Sequence, residues 1–186
     1  MIEIVPYRDQ WPSEFTALAA VLRSALGDRA LAIHHIGSTS VVGLAAKDVI
    51  DVQITVAELD LTLVEDLVKV GCVHFPVMSD HCPPGAELEP DQLSKLLVKG
   101  PGRPANFHIR VLGRFNQRYP LLCRDYLRSH PLAATAYATI KHHLAQYFPE
   151  NTEAYYDIKD PVFDVIMVGA NEWAEQIGWQ QPATDG

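Results

Sequence analysis

Chemistry in this 186-residue chain is concentrated between residues 37 and 53. Gly37-Ser38-Thr39-Ser40 is a run of small residues, followed by Gly43, a basic residue at Lys47, and Asp51 and Gln53. Glycine and short hydroxyl residues leave backbone N–H groups accessible, and a turn of such donors forms a nest for an anion. The arrangement is a Gly-Ser turn facing one carboxylate, Asp51.

Two apolar runs, Ala30–Ile36 and Val49–Val56, flank that stretch and must carry it. Ile50-Asp51-Val52-Gln53-Ile54 alternates apolar and polar residues, the pattern of a half-buried strand with Asp51 and Gln53 on one face. Ser94–Val98 and Asn106–Leu112 form a second strand pair across the basic, glycine-rich tip Lys99–Pro104. On Asn106–Leu112, alternation puts Asn106, His108 and Arg110 on one face and Phe107, Ile109 and Val111 on the other. His108 is either a buried histidine satisfied by backbone or a site group. Arg110 on the same face tilts the balance toward a site, because inward polar groups need partners. Its forked donors suit phosphate, and a salt bridge to Asp51 is the plainer alternative.

The block GSTSVVGLAAKDVIDV resembles the GSTSVPGLAAKPxIDI signature of the GrpB proteins, a branch of the polymerase-beta-like nucleotidyltransferase superfamily. Ile36-Gly37-Ser38 and Asp51-Val52-Gln53-Ile54 match the two halves of the superfamily pattern. Asn106-Phe107-His108-Ile109-Arg110-Val111 is similar to the family's NFHLHV strand, and Arg124-Asp125-Tyr126-Leu127-Arg128 to its RDYLR block. Tyr137 and Lys141 resemble its Tyr-x-x-x-Lys pair. The resemblance implies a nucleotidyltransferase-like fold, with Gly37, Ser38, Thr39 and Ser40 around a nucleotide's phosphates and Asp51 on magnesium. Lys47 or Arg110 would balance charge there, and Arg124 is either a structural strut or a phosphate contact. Nucleotidyl transfer uses carboxylate-held metal to neutralise phosphate charge. Gln53 stands where the superfamily has its second carboxylate, and a glutamine carbonyl ligates without adding charge. The carboxylate set is thereby reduced to Asp51, with Gln53 and His108 as neighbours. Some relatives are fused to dephospho-coenzyme A kinases, which points to nucleotide or coenzyme chemistry.

A formal charge of −8 argues against a surface that coats nucleic acid, although a local basic cleft is compatible with it. No apolar run approaches the ~18 residues of a membrane helix and Met1-Ile2-Glu3 lacks a basic start, so a cytoplasmic protein is expected. Cys72, Cys82 and Cys123 are odd in number and widely spaced, which argues against a disulfide framework. His74, His81 and Cys82 match no compact zinc spacing.

The rest of the chain supplies cover. Phe15, Leu18, Leu22 and Leu26 fall at helical spacing after a cap at Asp9, and Asp60 caps a helix from Leu61 to about Val70. Met78–Gln92 reads as a mobile loop or lid. Leu132, Ala136, Ile140, Leu144 and Tyr147 form an expected core stripe, and Val162 to Ile177 another, with Asp160-Pro161 a restart or kink. The architecture expected is α+β: one domain over residues 1–178, with a mixed, mostly antiparallel sheet, a helical C-terminal third and a frayed tail over 179–186. Two functions compete: a magnesium-dependent nucleotidyltransferase-like enzyme with Asp51 and His108 in catalysis, and a degenerate relative that binds a nucleotide, another phosphorylated ligand or a protein partner without turnover.

Overall fold

Strand alternation sorts the sheet into two chemically different faces. In a computed structural model covering residues 1–186, β1 (Ala32–Ile36), β2 (Ile50–Val56), β3 (Val73–Phe75), β4 (Leu96–Lys99) and β5 (Ala105–Val111) lie in the order β1-β2-β5-β4-β3. β2 and β5 run parallel and the other pairings are antiparallel, so the fold is the expected α+β type with a mixed, mostly antiparallel sheet. Register places Asp51 beside Asn106 and Gln53 beside His108.

The apolar face presents Ile33, Val52, Ile54, Leu96, Val98, Phe107 and Ile109 to α1 (Trp11–Leu26) and α2 (Leu61–Lys69). Trp11, Phe15, Ala19, Leu22 and Leu26 are the buried stripe of α1, spaced by three or four residues. Each large side chain buried there contributes roughly 1.5–3 kcal/mol. Gln10, rather than Asp9, precedes the first turn of α1 and makes no side-chain cap, whereas Asp60 does cap α2 by accepting from the Thr62 amide. Near the start of the chain, Val5 forms a single bridge with Ala46.

The polar face is covered by α3 (Phe115–Ser129), which packs with α4 (Pro131–Tyr147) and α5 (Thr152–Ile177) around a second core including Leu122, Leu127, Tyr137, Met167 and Ala170. Of the stripe expected on α4 only Leu144 is buried; the inward residues are Tyr137, Lys141 and Leu144. Counting apolar residues chose the outer face because Lys141, a polar residue, finds its partners inside. On α5, Ala170 is buried as expected but Val165 and Ile177 are exposed, and Pro161 is accommodated within one continuous helix.

Residues 179–186 are tied down rather than frayed. The Thr184 hydroxyl accepts from the Ile33 amide and donates to its carbonyl, and the Asp185 carboxylate accepts from the His35 amide at 3.0 Å. The reason is the sheet edge: β1 leaves backbone groups unpaired on its outer side, and the tail satisfies them. No helix is long and apolar enough to cross a membrane.

Candidate functional site

A cavity of 540 Å³ lies between the polar face of the sheet and helices α3 to α5. Gly37 closes one side. Its backbone sits at φ 70°, and a Cβ there would lie 2.6 Å from Asp51 Oδ2, so only glycine lets the turn approach the carboxylate. The Gly-Ser turn and Asp51 are therefore brought together, as their spacing suggested.

The hydroxyls of the turn are mostly committed elsewhere. Thr39 is buried, with its hydroxyl 3.0 Å from His35 Nε2, and Ser40 Oγ donates to the Gly37 carbonyl. The amides of Ser40 and Val41 are used within the turn itself. Ser38 alone of the three turns its hydroxyl to a cavity cation, accepting from Lys141 Nζ at 2.8 Å.

At the sheet end, Asp51 Oδ1 accepts from Asn106 Nδ2 at 2.9 Å and lies 3.7 Å from His108 Nε2. Burial pushes the Asp51 carboxyl up, but His108 and Asn106 more than offset it and hold the group below its ordinary value. Burial, reinforced by Arg110, lowers the His108 imidazole, so the ring is neutral at neutral pH. Arg110 Nη2 approaches His108 Nδ1 at 3.4 Å, and since a guanidinium only donates, the ring proton belongs on Nε2, toward Asp51.

Arg110 pairs with neither Asp51 nor open solvent. Its Nε donates to Asp80 Oδ2 at 2.8 Å and its Nη1 to Gln53 Oε1 at 2.8 Å. Lys95 and Asn116 complete the cage around Asp80. Burial raises the Asp80 carboxyl, and Arg110 and Lys95 overcome that and hold it far below the usual range. Asp80 comes from the segment expected to be a mobile lid, which instead sends a carboxylate inward. Arg124 is a strut: Nη1 donates to the His35 carbonyl at 2.9 Å and to Asp185 at 2.6 Å, while Nε donates to Asp125.

The helical end is built from lysines and tyrosines. Lys141 Nζ, on α4, donates to Ser38 Oγ and to the Ala45 carbonyl and sits 4.5 Å from the Tyr137 ring centre. Lys47 reaches away from the Gly-Ser turn to the Tyr156 hydroxyl, at 2.5 Å. Lys159 packs on the Tyr156 and Phe163 rings and pairs with Asp160 at 2.8 Å. Burial first, and then the charges of Lys159 and Lys47, push the Lys141 amine down to about 7. Six cationic side chains and three carboxylates line the cavity, in a chain whose formal charge is −8.

The donors do not fit the carboxylate-held magnesium centre that the resemblance implied. Gln53, the second expected ligand, is fully buried with its oxygen taken by Arg110 and its amide nitrogen donating to the Gln117 carbonyl. A guanidinium thus occupies the side of the carbonyl from which a cation would approach. No three His, Cys, Asp or Glu side chains gather closely enough to hold a metal ion. His74, His81 and Cys82 likewise form no such group.

The sequence profile described as GrpB protein matches residues 1–168. The chain belongs to the GrpB family. A crystal structure of GrpB from Enterococcus faecalis superposes with a TM-score of 0.73 at 30% identity, covering 92% of this chain and 99% of that one. A dephospho-CoA kinase of Mycolicibacterium paratuberculosis is 34% identical over 96% of this chain. The chain spans 48%, about half, of that relative's length. The nucleotidyltransferase-like fold is seen in a structure of Cid1 described for its RNA terminal uridylyl transferase activity, with a TM-score of 0.51 at 19% identity over 77% of this chain.

Within this GrpB fold, Asp80, Lys95 and Lys159 were not singled out from sequence as site residues. Arg110 demanded a partner, but nothing distinguished Asp80 from the other acidic residues of its loop. Lys141 carried a signal in the Tyr137-x-x-x-Lys141 pair, whose spacing puts both side chains on one helix face.

Proposed function

We propose that this GrpB protein binds a nucleotide or another phosphorylated small molecule in the cleft between the sheet and helices α3 to α5. The observation that carries this is the inversion of charge: an acidic chain lines one cavity with six cationic groups and half as many carboxylates. Lys95, Arg110, Arg124 and Lys159 have carboxylate partners but Lys47 and Lys141 have none, and placing such charge in a partly buried space is costly without an anion to offset it. Tyr155 and Tyr156 meet edge to face at 5.5 Å on the same wall, where their rings carry the Lys47 and Lys159 ammonium groups.

Of the two functions that the sequence left in competition, the paired-off state of Gln53 favours ligand binding over metal-dependent nucleotidyl transfer. The Arg110 guanidinium already takes the Gln53 carbonyl oxygen that a metal ion would need as its second ligand. A thermal-denaturation screen of nucleotides, coenzyme A precursors and simple phosphates tests the proposal. A ligand at about a hundredfold over its dissociation constant adds ~2.7 kcal/mol, or roughly 5–10 °C for a chain of this size. Absence of any shift across the panel contradicts it.

A further inference from the structure

Beyond the residues that the family signature points to, the helical end of the cleft contains a second arrangement of charge. Lys47 and Lys141 are held by hydroxyl and carbonyl oxygens and by tyrosine rings, and neither forms an ion pair; Lys159 has one half-exposed partner, Asp160. The three come from separate places: the loop before β2, helix α4 and helix α5. Their convergence is therefore a product of the fold and not of a local charge run. Lys141 is itself buried, at 2% exposure, yet keeps its ammonium on the cavity wall beside Ser38. Buried lysines are normally paired or neutral.

Resting on the phosphorylated-ligand reading above, we infer that Lys47, Lys141 and Lys159, with the Ser38 hydroxyl, form the subsite for a phosphate monoester and that the monoester binds there without a divalent metal. Two ammonium groups lacking carboxylates match the two charges of a monoester dianion. Arg110 at the other end is committed to Asp80 and to the Gln53 carbonyl, so it is not available to the monoester. Lysine suits this role as a point charge that follows the anion, where arginine would impose a fork.

Isothermal titration calorimetry on the whole chain tests this, with inorganic phosphate and the nucleoside 5′-monophosphates as probes, each in EDTA and in excess magnesium. At least one phosphate-bearing probe binds in EDTA, with an affinity within about twofold of that in magnesium, and its nucleoside alone does not bind. Lys141→Gln weakens binding by at least about tenfold, the size of one charge-assisted hydrogen bond. Lys47→Gln and Lys159→Gln, both half-buried, weaken it severalfold and decide the matter if Lys141→Gln fails to fold. Binding that requires magnesium and disappears in Asp51→Asn overturns the inference and leaves the ligand-binding proposal standing. Lysine variants that bind as wild type overturn it too, as does failure of every probe in both conditions, whereas the ligand-binding proposal falls only if the wider thermal-denaturation panel is silent as well.

Discussion

At the sheet end of the cleft Arg110 and Lys95 are both paired with Asp80, with the Asp51 carboxylate close by, whereas at the helical end Lys47 and Lys141 face no carboxylate. The two ends share one cavity, and each has a buried cation, Arg110 at one and Lys141 at the other, so the difference lies in what each is built to meet. A paired-off set of charges is structural, because its energy comes from its own members. An unpaired set raises the energy of the empty protein and is relieved by an anion from outside. The sheet end is where a nucleotidyltransferase-like fold leads one to look for catalysis, yet its charges are consumed internally.

The largest effect that separates the ends is expected from Asp80→Asn, which leaves Arg110 and Lys95 buried without a counter-charge. Breaking a buried pair in this way costs about 3–5 kcal/mol, measurable by urea denaturation. Because the Asp80 carboxyl is depressed in the folded state, its contribution is complete above the ordinary value of 3.8 and is lost as pH falls below it. An Asp80→Asn protein as stable as wild type at neutral pH would show that the cage carries no energy. Next in size is Gly37→Ala. A side chain at positive φ pressed against Asp51 costs about 1–3 kcal/mol and should also abolish ligand binding, because the turn retreats from the cleft.

Lys141→Met sharpens the comparison by its sign. The folded-state pKa lies near 7 against an ordinary value of 10.5, so between these values the unfolded chain holds a proton that the folded chain has released. Stability of the wild type therefore rises with pH across that window. Lys141→Met lacks this slope and is the more stable protein at pH 6, by about 1 kcal/mol, with the advantage shrinking as pH increases. A constant difference at every pH would mean that Lys141 acts through packing alone. The smallest effect belongs to Gln53→Glu: the new carboxylate pairs with Arg110, and magnesium adds no stability to the variant. A magnesium-dependent rise in its melting temperature would instead mark the sheet end as a metal centre lacking only one ligand.

Much of the sheet end could be read in the sequence, because period-two alternation depends only on neighbours along one strand. It put Asp51 with Gln53 and His108 with Arg110, and the parallel pairing of β2 with β5 joined them. The partner of Arg110 lay 30 residues away in an irregular loop, where no periodicity reports direction. The helical end was harder for a related reason. Hydrophobic counting on α4 selected exposed Leu132 and passed over Lys141, since a buried lysine is intelligible only once Ser38 and the Ala45 carbonyl are known to face it. The tail over 179–186 lacks any repeat, and its order comes from the open edge of β1, a property of the assembled sheet.

What distinguishes the two ends is where phosphate binds: at the lysines and not at Asp51. The most direct measurement is an anomalous difference map from crystals grown in EDTA with a nucleoside 5′-thiophosphate, whose sulfur marks the phosphate position. The expected result is a peak within hydrogen-bonding reach of Lys141 Nζ and Ser38 Oγ. A peak against Asp51 and His108, or none in the cleft at saturating ligand, would contradict it.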